Sequence, residues 1–374
     1  MKPLKIKLSK PYIPSSGIKE VQKVLKSGNL VQGEVVKKFE LALQKYLGTR
    51  HAILVSSGTA ALHLALLALD IKEGDEVIVP AFTFPATANV VELVKAKPVF
   101  VDIALDDFCM DVRKIEKCIS KRTKAIIPVH EFGQPADIKK IMSVAKKRNI
   151  TVVEDAACAL GAKFGNQMVG TFGKIGCFSF HPRKILTTGE GGLLVTDDVA
   201  MAEKLRSLRS HGICVKNGKM DFDYAGLNYR MTDFQAALGL SQMAHLEKML
   251  KARVALAKAY DQGLAGISWI KTPLSIQNRK NVYQTYHVML NQNVSRDALI
   301  QKLRDQGIEA NLGAQALPCL SYYQKRYKLK ERDFLNAREA YTQGLALPMH
   351  FALNEKDIKH VIRKLELSLG GINS

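Results

Sequence analysis

The stretch EVIVPAFTFPATANVVELVKAKPVFVDI, residues 76–103, holds the pattern on which the fold turns. Its two ends, EVIVPAF (76–82) and PVFVDI (98–103), are short apolar runs bounded by turn residues, while Ala86–Val94 between them has helical spacing. Strand, helix and strand in so short a span form a crossover unit, which sets the two strands parallel. The pattern continues through AIIPVH (125–130), TVVEDA (151–156), CFSFH (177–181) and GLLVTD (192–197), with helical spacing at Val112–Ile119 and Asp137–Lys147. This predicts an α/β fold built on a large, mostly parallel sheet covered by helices on both faces.

Past this region the pattern changes. Near residues 235–265 it becomes one long, proline-free helical stretch, read as a connector between lobes. Strand-like YQTYHVML (283–290), helix-like RDALIQKLRDQG (296–307) and a final helix from about Glu355 to Leu367 make a smaller α+β lobe. The expected division is an N-terminal segment and large domain over 1–250 and a small C-terminal domain over 251–374.

At 374 residues, 47% hydrophobic and 24% charged, the chain has the composition of a globular protein with a substantial core, which excludes extensive disorder. Its six cysteines are scattered, with no CxxC pair and no zinc-like Cys/His spacing, so neither a disulfide scaffold nor a metal is expected. No segment has the run of about 18 apolar residues that a membrane helix requires. MKPLKIKLSKPYIP at the N-terminus has no apolar core of a signal peptide, and a cytoplasmic location without membrane insertion is expected. The net charge of +20 is dispersed, and no nucleic-acid-binding motif accompanies it. A solvated basic surface is the first reading of it, with a slight preference for a phosphorylated small molecule over a polynucleotide.

Three motifs carry chemistry. In SSGTAALHLALLAL (56–69) a Ser/Gly/Thr turn enters a helix, whose first N–H groups and dipole favour an anion, although Thr59 could equally be a helix cap. In TVVEDAACALGA (151–162) a strand ends on Asp155, at the edge where open α/β sheets place ligands, although a capping role would also suit it. In CFSFHPRKILTTGEGGLLVT (177–196) a strand breaks at Pro182 and presents Lys184 before a glycine-rich turn, with Ser179, Thr187 and Thr188 nearby. A lysine in such a partly desolvated site can have a lowered pKa and act as a Schiff-base nucleophile. An anion cradle, a strand-end acid and a lysine 29 residues after it suit pyridoxal phosphate. His130 and His181 either line the pocket or are packing histidines. Tyr322, Tyr323 and Tyr327 read as partial core.

With KPYI (10–13), SGNLVQG (27–33), PAFTFPATAN (80–89), SFHPRKILTTGEGG, GLNYRMTDFQAALG (226–239) and ALPMH (346–350) in order along the chain, the sequence resembles the DegT/DnrJ/EryC1/StrS sugar aminotransferases of the fold-type I architecture. The resemblance implies that Lys184 binds pyridoxal phosphate covalently, Asp155 partners the ring nitrogen and Phe84 stacks on the ring. It implies phosphate contacts from Gly58, Thr59 and Ser179, and from Asn228 of a second subunit, hence a homodimer with shared sites. Arg230 would make structural ion pairs. Two departures stand out: Cys158 replaces a Gln that bonds the cofactor's phenolic oxygen, and ANLGAQALPCLSYY (310–323) replaces a His-Tyr-containing segment near the sugar.

The implied activity is amination of a nucleotide-linked 4-keto-6-deoxysugar at C4, with L-glutamate as donor, in polysaccharide or lipopolysaccharide precursor synthesis. The TTGEGG form of the lysine motif looks more like members that aminate C4 than C3. The alternatives are a 3-aminotransferase, a 3-dehydratase, against which Lys184 argues, and a non-catalytic regulatory or binding protein on the same fold.

Overall fold

The alternating runs of the first two hundred residues form seven strands in the computed structural model, which describes residues 5–369. In chain order they are β1 (His51–Val55), β2 (Glu76–Pro80), β3 (Lys97–Val101), β4 (Thr123–Ile126), β5 (Thr151–Asp155), β6 (Ile175–Ser179) and β7 (Gly192–Thr196). They hydrogen-bond in the order β1-β7-β6-β5-β4-β2-β3, and β7 alone runs against the others. The predicted helices lie at Ala86–Leu93, Val112–Cys118 and Ile138–Arg148.

Alternation along the strands divides the core between the two faces. Ile53, Val77, Val153 and Leu194 pack with the helices Gly58–Ala68 and Ala86–Leu93. Ala52, Leu54 and Leu193 face the helix Glu34–Leu47, while Ile78, Ile126 and Val152 face Ile138–Arg148. A sheet so covered leaves only its strand ends open to a ligand, which is why the carboxyl-terminal edge matters below.

Two sequence expectations are corrected. HAILV (51–55), outside the predicted strands, is also a strand. The single long helix is two, Asp233–Met243 and Leu246–Leu264, broken at Ala244–His245. The break changes the packing partner of the second helix along its length. Leu246, Met249 and Leu250 lie in the core beside β7, whereas Leu256, Ala257, Tyr260 and Leu264 belong to the C-terminal core.

That C-terminal lobe is a three-stranded antiparallel sheet, Ile270–Lys271, Tyr286–Leu290 and Gly344–Leu347, with the middle segment at its centre. Helices Arg296–Asp305 and Glu355–Leu369 flank it. The beginning of the chain returns here: Ile6 bridges Ile308 and is buried in this core, and the Met349 N–H donates to the Leu8 carbonyl at 3.0 Å. Among the described residues no helix is long and apolar enough to cross a membrane.

Candidate active site

β5 and β6 are parallel neighbours, with Asp155 in register with Cys177, so both strands deliver their ends to one edge of the sheet. Beyond β6 the chain turns at Pro182, where the Lys184 N–H bonds the His181 carbonyl at 2.8 Å. The turn directs the Lys184 side chain back over the edge, where its Nζ lies 3.0 Å from Cys158 Sγ. Asp155 is buried, accepting from Thr87 Oγ1 at 2.8 Å and from the Ala157 N–H at 3.1 Å. Burial raises its pKa, opposed by these two hydrogen bonds and by the charge of Lys184.

The electrostatics of Lys184 overturn the expected lowering. Burial pulls its pKa down, but Cys158, Asp155 and Glu131 outweigh this and hold it above the usual lysine value. The amine is a proton-holding group in this cluster while these partners stay beside it. Burial pushes the Cys158 thiol up, against the opposing pull of Lys184.

The anion cradle forms where β1 enters the helix Gly58–Ala68. Ser57, not Thr59, is the cap, its Oγ accepting from the Ala60 N–H at 3.0 Å. Thr59 is exposed, and Gly58 and Thr59 open the helix, whose first N–H groups lack partners within it. Gly58 is required by proximity: a Cβ there would stand 2.8 Å from Ser179 Cβ. This closeness sets the half-buried Ser179 hydroxyl beside the helix start.

Phe84 is 66% exposed although it lies between buried Thr83 and Thr87. It is the residue before the turn into the helix Ala86–Leu93, one helical turn from the Thr87 that holds Asp155. The divergent 310–323 segment pairs with the two residues before it, Gln315 with Thr83 and Ala316 with Phe82. Asn228 is exposed, held by backbone pairing to Ser210.

Other candidates are committed elsewhere. Thr187 and Thr188 are buried and donate to the Phe180 and Glu190 carbonyls, so they shape the glycine turn rather than face the lysine. His130 is a packing histidine: Nδ1 accepts from the Ala136 N–H at 3.0 Å, which leaves Nε2 to donate to Glu154 at 2.9 Å. Arg230 joins no ion pair among the described residues; its backbone bridges Val55. Tyr323 is buried against Phe100, the half-buried ring of Tyr327 lies 5.8 Å from the same ring, and Tyr322 is exposed.

The reading missed Glu131, Thr83 and Thr87. Glu131 is buried beside Lys184, Asp155 and Cys158. Burial raises it to about 7, with Lys184 opposing. The adjacent backbone is unusual: Phe132 adopts φ 56 and Gly133 φ 91. A Cβ on Gly133 would meet Val282 at 2.7 Å. This left-handed pair turns the chain so that Glu131 points at the strand ends while Phe132 stacks on His287.

A family model of the DegT/DnrJ/EryC1/StrS aminotransferases matches residues 11–366. The chain belongs to that family. A GDP-perosamine synthase of Caulobacter vibrioides is 40% identical over 337 residues, covering 89% of this chain and 90% of that protein. The spore coat polysaccharide biosynthesis protein SpsC of Bacillus subtilis is 37% identical, covering 95% and 94%. Among solved structures, PseC of Helicobacter pylori, an aminotransferase of pseudoaminic acid biosynthesis, superposes with TM-score 0.93 at 29% identity over 98% of this chain and 99% of that one. The putative sugar aminotransferase Spr1654 of Streptococcus pneumoniae, solved in PLP and PMP forms, superposes at TM-score 0.92. In its PLP form it is 30% identical, covering 98% of each chain.

The cofactor of the family is pyridoxal phosphate, and the residues present fit it. A helix start opens onto Ser179 with no room for a Cβ at Gly58, an amine and a buried acid converge on one sheet edge, and a large aromatic ring stands uncovered beside them. Among the described residues no group of His, Cys, Asp or Glu is placed to hold a metal ion.

Proposed function

We propose that this chain aminates C4 of a nucleotide-linked 4-keto-6-deoxysugar, taking nitrogen from L-glutamate, in the synthesis of polysaccharide or other glycan precursors. The observation that carries this reading is the convergence of the Lys184 amine and the buried Asp155 on one sheet edge beside the helix start at Gly58. The relative named GDP-perosamine synthase supports a nucleotide-linked sugar, and SpsC supports a polysaccharide setting.

In this reading Lys184 binds the cofactor through its amine, and Asp155 accepts from the ring nitrogen. Gly58, Thr59 and Ser179 receive the phosphate, joined by Asn228 of a second copy in a homodimer. Phe84 covers one face of the ring. When bound, the cofactor supplies a conjugated ring that spreads the electron pair left as a proton leaves the donor's α-carbon. Asp155, acceptor-only when ionised, keeps the ring nitrogen protonated for that purpose. Lys184, displaced by the incoming amine, is the base that takes the proton from carbon and returns it one position along. Its raised affinity for protons suits the uptake. Cys158, with a neutral thiol, offers the ring's phenolic oxygen only a weak donor.

The divergent segment 310–323, paired to the strand that precedes Phe84, lies where the sugar or its nucleotide would be selected. A panel of UDP-, dTDP- and GDP-linked 4-keto-6-deoxysugars, incubated with glutamate and read by product mass and NMR, tests the proposal. One nucleotide should give a C4 amine. An amine at C3 would overturn the regiochemistry, and absence of turnover on every member would favour a binding protein.

A further inference from the structure

The segment 310–323 crosses from one lobe to the other. It starts in the C-terminal lobe, where Ala310 is buried and the Ala346 N–H donates to the Asn311 carbonyl at 2.7 Å. Gln315 and Ala316 then pair antiparallel with Thr83 and Phe82, and the Leu317 N–H donates to the Ala81 carbonyl at 2.8 Å. This register runs the residues before Gln315 toward Phe84 and those after Ala316 back toward Ala81. The far end closes on the same crossover unit, through the helix Ser321–Tyr327. The Tyr323 hydroxyl lies 2.5 Å from Asn89 Oδ1 and 3.3 Å from the Pro85 carbonyl oxygen. Tyr322 donates to Glu92, one turn further along the helix Ala86–Leu93.

The ring and the hydroxyl of Tyr323 do different things. The ring is buried, edge-on to Phe100 of β3 at 5.7 Å, a contact that a phenylalanine would make equally well. The hydroxyl has one proton to give and donates it to Asn89. We propose that Tyr323 is a positioning residue for the sugar half of the reaction. Its hydroxyl, seated on Asn89, fixes the segment 310–320 against the turn that carries Phe84 and so sets the affinity for the nucleotide sugar, not that for the amino donor. This rests on the placement of the sugar beside the segment proposed above.

A segment that contacts a ligand must be in place when the ligand arrives, and the apparent affinity falls with the fraction of molecules in which it is. The ladder at Gln315–Ala316 is two residues long, and Leu317–Cys319 after it is a single helical turn. Neither holds the segment by local structure alone, so the anchors beyond them decide how often it stands beside Phe84. The amino donor is spared by the geometry of the helix. Thr87, which holds Asp155, is buried, whereas Asn89, two positions on, is exposed on the opposite face. Loss of the Tyr323 hydroxyl therefore leaves the Thr87–Asp155 contact in place.

The test separates the two half-reactions of the holoenzyme by the visible absorbance of the cofactor. Glutamate is mixed with the pyridoxal form, and the keto sugar nucleotide that wild type accepts is mixed with the pyridoxamine form. Tyr323→Phe should raise the KM for the sugar nucleotide about 3- to 10-fold, the worth of one hydrogen bond. The limiting rate with that sugar and the KM for glutamate should stay near wild type. Asn89→Ala, which removes the acceptor, should give the same shift, and the double variant no more than either alone. Equal losses in both half-reactions, an unchanged sugar KM, or additive effects in the double variant would overturn the proposal. Should Tyr323→Phe not fold, Asn89→Ala, changed at an exposed position, decides both this arm and the next.

A second arm needs no substrate. Hydrogen exchange, read by mass spectrometry on the holoenzyme, should be faster over 310–320 in both variants than in wild type, with the strand Thr151–Asp155 unchanged. Exchange over 310–320 that matches wild type, or that rises equally over both segments, would also overturn the anchoring. If wild type reacts with glutamate but with no keto sugar nucleotide, the function proposed above fails instead, and the anchoring is decided by this second arm.

Discussion

Glu154 and Asp155 are consecutive residues of one strand, both buried, and they face opposite sides of the sheet. Glu154 is fully subscribed. It accepts from the Gly170, Phe172 and Gly173 N–H groups at 2.8, 2.6 and 2.7 Å, and from His130 Nε2 at 2.9 Å. Asp155 has one hydroxyl and one N–H, with a lysine amine and a second carboxyl close by. The same side-chain chemistry, one residue apart, is structural cement on one face and an open valence on the other. Unsatisfied capacity, not charge or burial, separates the site from the scaffold.

The strongest way to break this contrast is at the open face. Lys184→Ala should lower transamination by about 10³-fold or more and abolish the visible cofactor band. Mixed with Asn228→Ala subunits that can exchange, it should regain about a quarter of wild-type activity, since half the dimers would carry one intact site. Activity no higher than the sum of the separate variants would remove the shared-site arrangement. Next comes the pair itself. Asp155→Asn should lose about 10²-fold in rate with the fold intact. Glu154→Gln should instead cost about 3 kcal/mol of stability in urea unfolding while each folded molecule stays active. A reversal of these two phenotypes would dissolve the comparison.

The smallest effect sharpens it with histidines. His130 has both ring nitrogens partnered, whereas His287, stacked on Phe132, has neither and is held down to about 3 by burial. A histidine whose folded pKa lies below its unfolded value contributes stability that is present above pH 6.5 and is lost on acidification. The loss should be about 1.4 kcal/mol per pH unit below that point. His287→Leu should remove that contribution between pH 6.5 and 5, measured by denaturant titration against wild type, while His350, held to about 4, keeps its own similar slope.

The sheet was readable because its strands announce themselves by local composition and its helices by period. HAILV is a five-residue run that leads straight into the SSGTAAL turn, and a run so short is not set apart by period alone. Lys184 and Asp155 were legible as a strand-end acid and a lysine at a proline break. Glu131, Thr83 and Thr87 were not, because their meaning lies in three segments meeting from positions 83–87, 131 and 155. Locally, EFG (131–133) carries no period or motif that marks it as buried. Its burial follows from a left-handed phenylalanine that no periodicity foretells. The break at Ala244–His245 was invisible for a similar reason: both sides are good helix, and tertiary packing alone decides the bend.

The bridge between Ile6 and Ile308 has a consequence for how the molecule is made. On a ribosome, Ile6 emerges about 300 residues before its partner, a wait of about 15 to 60 s at 5–20 residues per second. The seven-stranded sheet, complete at Thr196, can assemble in that interval, whereas the C-terminal lobe cannot seal until the last strand, Gly344–Leu347, and the segment that receives Leu8 have been synthesised. Residues made about 300 positions earlier thus serve as the closing latch of the C-terminal lobe, and a nascent chain stalled before Ile308 would carry that latch undone.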